Sequence, residues 1–282
     1  LPAVLPEGAF VIATCRPGTT LPVESPTLWL SVTPDQPENT TDIHQFLRRT
    51  AQEPTIAARL AEAGVSAEEF AVTLTQRCGG VWVYLRYILD EIRLGHRDVT
   101  DLNDLPKDLT DYYTKALRAG QTDQQWEHVG LPVWATLAAA QEPLPLDAIT
   151  RLSGSLNPQA VRRLCDSRYR PFLTVTDTQP RRYAIYHASL REYLIGRLPS
   201  RTHLDDVCAL TDQLTDAVKR AHVRIADWYL TLFGGLPYLN ALATDPSMAR
   251  QDNGYPLRPL VTHLEHAGRI DDLHALLTCE HP

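Results

Sequence analysis

The sequence contains very little lysine. Its 282 residues include only Lys107, Lys115 and Lys219, and arginine supplies the rest of the positive charge. A P-loop needs a lysine directly after its glycines to hold nucleotide phosphates, and none of the three lysines follows a suitable glycine. No apolar strand ends in the paired acidic residues that would hold Mg²⁺ in such a site. We therefore expect no catalytic residue for ATP hydrolysis in this chain and no ATPase activity of the chain alone.

Cysteine pairs are also missing. The five cysteines lie too far apart for a Cys-x-x-Cys pair, and their number is odd. Disulfide frameworks and zinc sites usually show even numbers or short spacings, so we expect reduced thiols and no metal site. A hydrolase built on Cys15 and His187 would need a third group to orient the histidine, and the sequence offers none that we can identify.

Long apolar runs and an excess of positive charge are absent too. The sequence has no 18-residue apolar run and no secretory signal pattern, which predicts neither a membrane span nor export. The net charge is −7, whereas nucleic-acid-binding domains are usually basic. We expect a cytoplasmic protein with no membrane or nucleic-acid partner. Because the chain begins with Leu1 rather than Met, we expect its true N-terminus to lie upstream.

What is present is a segment that combines a strand pattern and a helix pattern around one histidine. From Tyr183 to His187 the residues alternate as in a strand, and from Leu190 to Leu194 apolar residues recur at helical spacing. His187 lies at the joint, near the first backbone N–H groups of the predicted helix, which attract anions such as phosphate. A histidine at such a joint is also commonly a hydrogen-bonded structural residue, so both interpretations stay open.

A second informative segment lies near the start of the chain. Residues 9–13 form an apolar run between glycine and an Arg-Pro-Gly turn, which predicts a strand buried on both faces. Thr14 and Arg16 follow at its carboxyl end, the side where α/β sheets bind ligands. Leu28–Val32 predicts a second strand, and because two strands make no stable sheet, we expect further strands upstream. Arg16 is either a solvated loop residue or a bidentate phosphate contact.

The middle of the chain predicts helices with recognisable ends. Thr40 or Thr41 suits the N-cap of a first helix, and Ser66 opens a capping box for another. Apolar residues from Val81 to Ile92 form a clear amphipathic stripe that Gly95 closes. Four more helices are predicted around apolar residues in four further segments, which contain Leu109, Trp126, Ile149 and Val161.

Two strands follow these helices. Pro171–Thr176 and Arg182–His187 are joined by a polar turn, and a helix, helix, helix, hairpin order is typical of a winged-helix domain. Winged helices often bind DNA, and Arg162, Arg163 and Arg168 lie on or just after the last helix. Arginines on a surface helix are usually only solvated, and the chain is acidic, so DNA binding is the less favoured interpretation.

The last part of the chain predicts helices alone. From Leu204 to Leu232 the spacing fits one long helix or two stacked ones, and Gly234 and Gly235 interrupt it. Tyr255–Ala267 and Ile270–Leu277 predict a helical hairpin. His263 and His266 lie one turn apart there; we expect them to be surface residues because no nearby cysteine or carboxylate cluster supports metal binding.

These segments together resemble one protein family. Tyr186–Leu194 (YHASLREYL) resembles the end of the winged-helix domain in STAND-class signalling NTPases, which include NACHT and NB-ARC switch proteins. Phe10–Gly18 is similar to the sensor-1 strand of that family. Cys78–Ile92 resembles its adenine-capping helical motif, although Val81-Trp82 stands where NB-ARC members carry a glycine–leucine–proline version. The resemblance covers nearly the whole chain, but only the C-terminal part of a switch module without its P-loop.

The resemblance implies roles for particular residues and partners. It implies that His187 contacts the diphosphate of ADP and holds a closed state, that Arg16 senses the γ-phosphate beside Thr14, and that Gly80 and Val81 lie on the adenine side. Trp82 is expected in the core. ATP or ADP with Mg²⁺ would be bound mainly by an upstream P-loop domain of the same protein. Downstream sensor repeats and self-association into a homo-oligomer on activation are further implications.

The expected fold is predominantly α with small β elements. Residues 1–40 would be the remnant of an α/β P-loop sheet, 41–120 a helical domain, 121–200 a winged-helix domain and 201–282 a helical spacer of hairpins. The expected function is part of an ATP/ADP-dependent signalling switch. The alternatives are a nucleotide-free helical scaffold for protein–protein interaction and, less favoured, a DNA-binding regulator.

Overall fold

The computed structural model describes residues 8–15, 28–197 and 205–279. Most of these residues are helical, and a small antiparallel sheet of three short strands is present. The predicted fold class, predominantly α with small β elements, is therefore confirmed. Across these ranges, no helix is both long enough and apolar enough to span a membrane.

The first group of helices packs around an apolar core. Its members are α1 Pro37–Thr50, α2 Pro54–Ala63, α3 Ala67–Cys78, α4 Trp82–Leu94 and α5 Leu109–Arg118, with a 3₁₀ turn Val99–Asp104 before α5. Ser66 caps α3 as predicted, because its hydroxyl accepts a hydrogen bond from the Glu69 amide at 3.1 Å. The predicted stripe of α4 is confirmed: Leu85, Ile88 and Ile92 are all buried.

The start of α1 differs from the prediction. Neither Thr40 nor Thr41 is the N-cap; both lie inside the helix, and their hydroxyls donate to the carbonyls of Gln36 and Pro37. Pro37 begins the helix instead, because a proline at the first helical position has no N–H to leave unpaired. Helix α2 was not predicted from the sequence at all, although it also begins with a proline.

The two predicted N-terminal strands are not found. Residues 9–13 and 28–32 lie in no strand, and their apolar side chains face solvent, including Phe10, Ile12, Leu28 and Leu30. A strand is stable only when its backbone groups find partners in a neighbouring strand. In the part of the chain that the structure describes, no strand lies beside either segment, so the predicted remnant of a P-loop sheet is not confirmed.

The second group of elements surrounds the small sheet. In order they are α6 Asp123–Gln125, a π-helical turn Trp126–Gly130, α7 Leu131–Ala139, β1 Leu144–Pro145, α8 Leu146–Ser153, α9 Pro158–Arg163, a second π-helical turn Leu164–Arg168, a 3₁₀ turn Arg170–Phe172, β2 Leu173–Val175, β3 Arg182–Ile185 and α10 Ala188–Leu194. The sheet has the order β1-β3-β2 and is antiparallel throughout. The predicted hairpin is confirmed with shorter strands. In register, Leu173 pairs with Ile185 and Leu144 with Tyr183.

The last group is built on one long helix. Helix α11 runs from Asp205 to Leu232 without a break, so the single-helix alternative is the observed one. It packs against α5, α7, α8, α10 and the later helix α13. After α12 Asn240–Thr244 and an irregular 3₁₀ segment Pro246–Leu257, α13 Leu260–His266 and α14 Ile270–Leu277 form the predicted hairpin. The first helix of the hairpin begins five residues later than Tyr255, because 3₁₀ backbone occupies that stretch.

An aromatic cluster joins the first group of elements to the second. Phe172, just before β2, packs among Tyr87 of α4 and Tyr112 and Tyr113 of α5, with ring centroids 5.0–6.2 Å apart. Trp134 of α7 adds an edge contact to the same phenylalanine. All five rings are buried. Because aromatic side chains bury large apolar areas, this cluster holds the two groups together beside α10.

Candidate functional site

The candidate site is centred on His187, the residue between β3 and α10. Its backbone is extended, with φ −122° and ψ 138°, and it is the N-cap of α10 rather than part of the strand. The predicted strand therefore ends earlier, at Ile185. The Nδ1 atom accepts a hydrogen bond from the Ser189 amide at 3.2 Å and lies 2.7 Å from the Ser189 hydroxyl oxygen. A histidine here thus performs the capping usually done by Ser, Thr, Asp or Asn.

The directions of the surrounding hydrogen bonds follow from that backbone donor. An amide N–H can only donate, so the neutral His187 ring has no proton on Nδ1 and carries its proton on Nε2. The Ser189 hydroxyl then donates to Nδ1, and the Tyr113 hydroxyl, 2.9 Å away, donates to Ser189. Burial raises the pKa of Tyr113, so this hydroxyl keeps its proton. The ring consequently carries its proton on Nε2, and an imidazole N–H can donate to an anionic oxygen.

A second hydrogen bond ties the same two helices together. The hydroxyls of Thr114 on α5 and Tyr193 on α10 lie 2.8 Å apart. With the Tyr113–Ser189 bond, α5 and α10 are linked by two side-chain hydrogen bonds, and one of them lies two residues from the histidine. The orientation of His187 therefore depends on the position of α5, an element that belongs to the first group of helices.

Arg86 adds a positive charge beside the histidine. Its guanidinium carbon lies 3.7 Å from the ring centroid of Tyr186, a cation–π contact between α4 and the end of β3. The Tyr186 and His187 rings are 6.3 Å apart. Arg86 also pairs with Asp90 one turn further along α4, at 3.7 Å. Sequence reasoning missed Arg86, because nothing local indicates that it meets a tyrosine 100 positions away.

Gly80 and Val81 lie at the start of α4. Gly80 has φ +79°, which only glycine adopts without strain, and a Cβ on it would lie 1.8 Å from the Pro34 carbonyl oxygen. Val81 is the N-cap of α4 and provides no side-chain cap. About 7.5 Å of helix axis separates Val81 from Arg86, at 1.5 Å per residue, so the predicted adenine-side residues and the contact beside His187 lie on one helix.

Asn39 and Trp82 shape the surface around Gly80. The Asn39 side-chain amide donates to the carbonyls of Pro34 and Gly80, both at 3.0 Å, and its oxygen accepts from the Trp82 indole N–H at 2.7 Å. Trp82 is 43% exposed, so the prediction of a core tryptophan is wrong. Trp82 is the first residue of α4, and its ring lies in an edge contact with Phe46 in addition to the hydrogen bond to Asn39.

The two remaining predicted site residues lie near the start of the chain. Thr14 is exposed in the segment 8–15, and within the described ranges it forms no hydrogen bond to His187, Gly80 or Val81. Arg16 lies outside the residues that the structure describes. Gly80 and Val81 thus lie at the N-terminal end of α4, and His187 follows Tyr186, whose ring meets Arg86 of the same helix.

The C-terminal histidines are placed differently from the prediction. His263 is fully buried, and its Nδ1 lies 2.9 Å from Nδ1 of His222 on α11. The Tyr255 hydroxyl lies 3.0 Å from Nε2 of His263. Only His266 is exposed, as predicted, with its Nδ1 donating to the Thr262 carbonyl. The sequence did not reveal the burial of His263, because its partner His222 is 41 residues away.

Burial sets the charge state of this histidine pair. Loss of solvation, together with nearby positive charge from His266 and Arg191, lowers the pKa of His222 to about 4. Loss of solvation, with His222 and His266 nearby, lowers the pKa of His263 to about 3. Both rings are therefore neutral near pH 7, as one donor and one acceptor. In the described part of the chain, no group of three His, Cys, Asp or Glu residues is placed to hold a metal ion.

Comparison of the chain with protein-family models, with curated proteins and with solved structures found no match.

Proposed function

We propose that this chain is part of an ATP/ADP-dependent signalling switch, as its resemblance to STAND-class NTPases implies. The observation that carries the proposal is the tautomer of the His187 ring. The residue that the resemblance aligns with an ADP-diphosphate contact is held by capping in the tautomer that presents an Nε2–H donor.

The linkage between α5 and α10 supports a switching role. His187, Ser189 and Tyr113 form a continuous series of hydrogen bonds from the histidine to the first group of helices. If those helices move relative to α10, the ring loses its fixed orientation. A contact to ADP through Nε2 would thus exist in one arrangement of the two groups only, which is what a nucleotide-dependent equilibrium requires.

The other predicted residues keep their proposed roles. Gly80 and Val81 would face the adenine side, Thr14 and Arg16 would respond to the γ-phosphate, and Mg²⁺ and most of the nucleotide would be held by an upstream P-loop domain. The N-terminus of α4 has no side-chain cap and no acidic residue in its first turn, so no carboxylate there repels a phosphate. Sensor repeats downstream and self-association on activation belong to the same proposal, as does a cytoplasmic location.

A specific observation favours one alternative, a nucleotide-free scaffold for protein contacts. Leu28, Trp29 and Leu30 are each at least 60% exposed, and exposed apolar patches commonly mark interaction sites. In the switch proposal the same residues would contact the upstream domain. A winged-helix DNA-binding role is not favoured, because the net charge is −7.

The experiment uses the parent protein and two substitutions of His187. His187→Ala should raise the ADP off-rate by roughly ten- to a hundred-fold, because a charge-assisted hydrogen bond contributes about 1.5–3 kcal/mol. His187→Asn is the matched control for stability, since asparagine is a good N-cap but has no imidazole. We expect it to keep the melting temperature yet release ADP as fast as the alanine variant.

Arg16→Ala should act in the opposite direction, because it removes a contact made only with the γ-phosphate and so weakens the preference for ATP in the open state. Stopped-flow release of a fluorescent ADP analogue and thermal melts measure both effects. If His187→Ala lowers the melting temperature, His187→Asn restores it, and neither alters the ADP off-rate, then the histidine is only a cap and the switch proposal fails at this residue.

A further inference from the structure

A groove lies between α8 and α11, away from His187. Its volume is about 510 Å³, and its walls include Arg151 and Leu152 of α8 and Arg224, Trp228 and Leu232 of α11. Small-molecule sites usually have volumes of about 300–1,000 Å³, with apolar walls and a few convergent polar groups. This groove has both the size and the composition of such a site.

Two of the three charged groups in the groove are already paired. Arg151 donates through Nη2 to both carboxylate oxygens of Asp252, at 2.6 and 2.7 Å. Asp252 is buried and also accepts from the Tyr229 hydroxyl at 2.6 Å. Asp227 pairs with Arg269. These pairs neutralise one cation and one anion of the lining.

Arg224 is the unpaired cation. Its Nε donates to the Leu152 carbonyl at 3.3 Å, and its Nη2 is buried with no acceptor in the described part of the chain. No described carboxylate lies within ion-pair distance of it. Arg220, one turn earlier on α11, adds a second positive charge nearby, and burial together with Arg220 lowers the pKa of Arg224. A desolvated guanidinium without a counter-ion is unfavourable, and a carboxylate is its best geometric partner.

Trp228 provides the apolar surface beside that cation. It lies one helical turn after Arg224, so the two side chains are neighbours on the same face of α11. The ring is 41% exposed, and the Arg151 guanidinium lies 5.2 Å from its centroid on the α8 side. An apolar group of a ligand would therefore contact the indole and Leu232 while its carboxylate met Arg224.

We propose that this groove binds an organic carboxylate that carries an adjacent apolar or aromatic group. The same chemistry is offered by a free small acid and by the C-terminal carboxylate of a peptide. The lining residues belong to α8 and α11, and none of them is among the residues proposed for the nucleotide switch.

The test uses the full 282-residue chain and 3-phenylpropionate as the probe. Calorimetry and tryptophan fluorescence should both show saturable binding. The matched neutral probe, 3-phenylpropanamide, has the same shape without the charge and should bind at least about tenfold more weakly. A tripeptide ending in phenylalanine, with a free or an amidated C-terminus, tests the peptide source; tighter binding of the free-carboxylate peptide than of 3-phenylpropionate would assign the site to peptide C-termini.

Substitutions locate the binding. Arg224→Gln should weaken 3-phenylpropionate binding by about ten- to a hundred-fold, whereas Arg220→Gln, on the same helix but fully outside the groove lining, should change it less than about threefold. Arg224→Lys keeps the positive charge but lacks the planar guanidinium group, and it replaces the glutamine variant if that variant misfolds. It should bind 3-phenylpropionate more weakly than the parent chain does. Equal affinity for the acid and the amide, equal effects of the Arg220 and Arg224 substitutions, or no saturable binding would each overturn the proposal.

Discussion

At the scale of single residues, His187 and Gly80 are the positions where one atom decides the local structure. The imidazole Nδ1 of His187 takes the place of a serine oxygen at a helix start. At Gly80, the missing Cβ leaves room for the Pro34 carbonyl, which also accepts from Asn39. Each position joins the end of a helix to a segment that is distant in sequence. We therefore expect a small change at either position to affect more of the structure than the helical turn beside it.

Gly80→Ala should be strongly destabilising. The new methyl group would collide with the Pro34 carbonyl and the residue would hold φ +79°, so we expect a loss of about 2–4 kcal/mol in the free energy of unfolding. Gly79→Ala is the matched control, because Gly79 also has positive φ but nothing lies within 4 Å of its added Cβ. It should cost only about 1–2 kcal/mol. Urea unfolding compares the two, and equal losses would show that the approach of Pro34 is not tight.

The buried histidine pair predicts a pH dependence of stability. His222 and His263 have folded-state pKa values of about 4 and 3, below the ordinary value of 6.5. The unfolded chain therefore binds more protons between these values, and stability falls as the pH decreases from about 6.5 to about 4. For His222 alone the loss is on the order of 3 kcal/mol. Arg191 and His266, which face this pair, act in the same direction.

Urea unfolding measured at several pH values between about 7.5 and about 4.5 tests this pH dependence. His263→Gln can keep hydrogen bonds to His222 and Tyr255 but binds no proton, so it should flatten the pH dependence. His96→Gln, a change at an exposed histidine, should leave it as steep as in the parent chain. An equally steep curve in His263→Gln would mean that acid destabilisation arises elsewhere.

At the scale of elements, local patterns predicted the hairpin and most of the helices, although not α2 or α12. The stripe of α4 and the cap of α3 are contained in short stretches of sequence, so both were predicted correctly, whereas the spacing of α11 left one long helix and two stacked helices as alternatives. Strands 9–13 and 28–32 were predicted from apolar runs, but a strand exists only with a neighbour. The burial of His263 and the contact of Arg86 with Tyr186 depend on residues 41 and 100 positions away. No local pattern in a single sequence indicates contacts between residues so far apart.

The exposed N-terminal segments predict an effect of truncation. Removing residues 1–32 should improve solubility, because Phe10, Ile12, Leu28 and Leu30 expose apolar surface that favours association. It should leave the melting temperature unchanged. Removing residues 1–37 should lower it, since that cut also deletes the Pro34 carbonyl that Asn39 binds and the proline that begins α1. Light scattering and thermal melts of the two truncations test this; identical melts would show that the Pro34 contact adds no stability.

At the scale of the whole molecule, the aromatic cluster around Phe172 should make unfolding cooperative. Phe172→Ala removes a buried ring that touches Tyr87, Tyr112, Tyr113 and Trp134, which should cost about 3–5 kcal/mol. The exposed Phe46→Ala provides the control and should cost less than about 1 kcal/mol. We expect far-ultraviolet dichroism and tryptophan fluorescence to follow one transition in the parent chain and two separate transitions in Phe172→Ala. Coincident transitions in the variant would show that other contacts hold the two groups together.

Helix α11 contacts α5 of the first group, three helices of the second group and α13 of the last group. Its 28 residues span about 42 Å, at 1.5 Å per residue. Its length makes α11 a lever: a tilt of about 5° around one end displaces the other end by about 4 Å, which is less than one helical turn. A small reorientation where α5 and α10 meet α11 would therefore be enlarged along the helix in the direction of α13, without any change of shape within the helix itself.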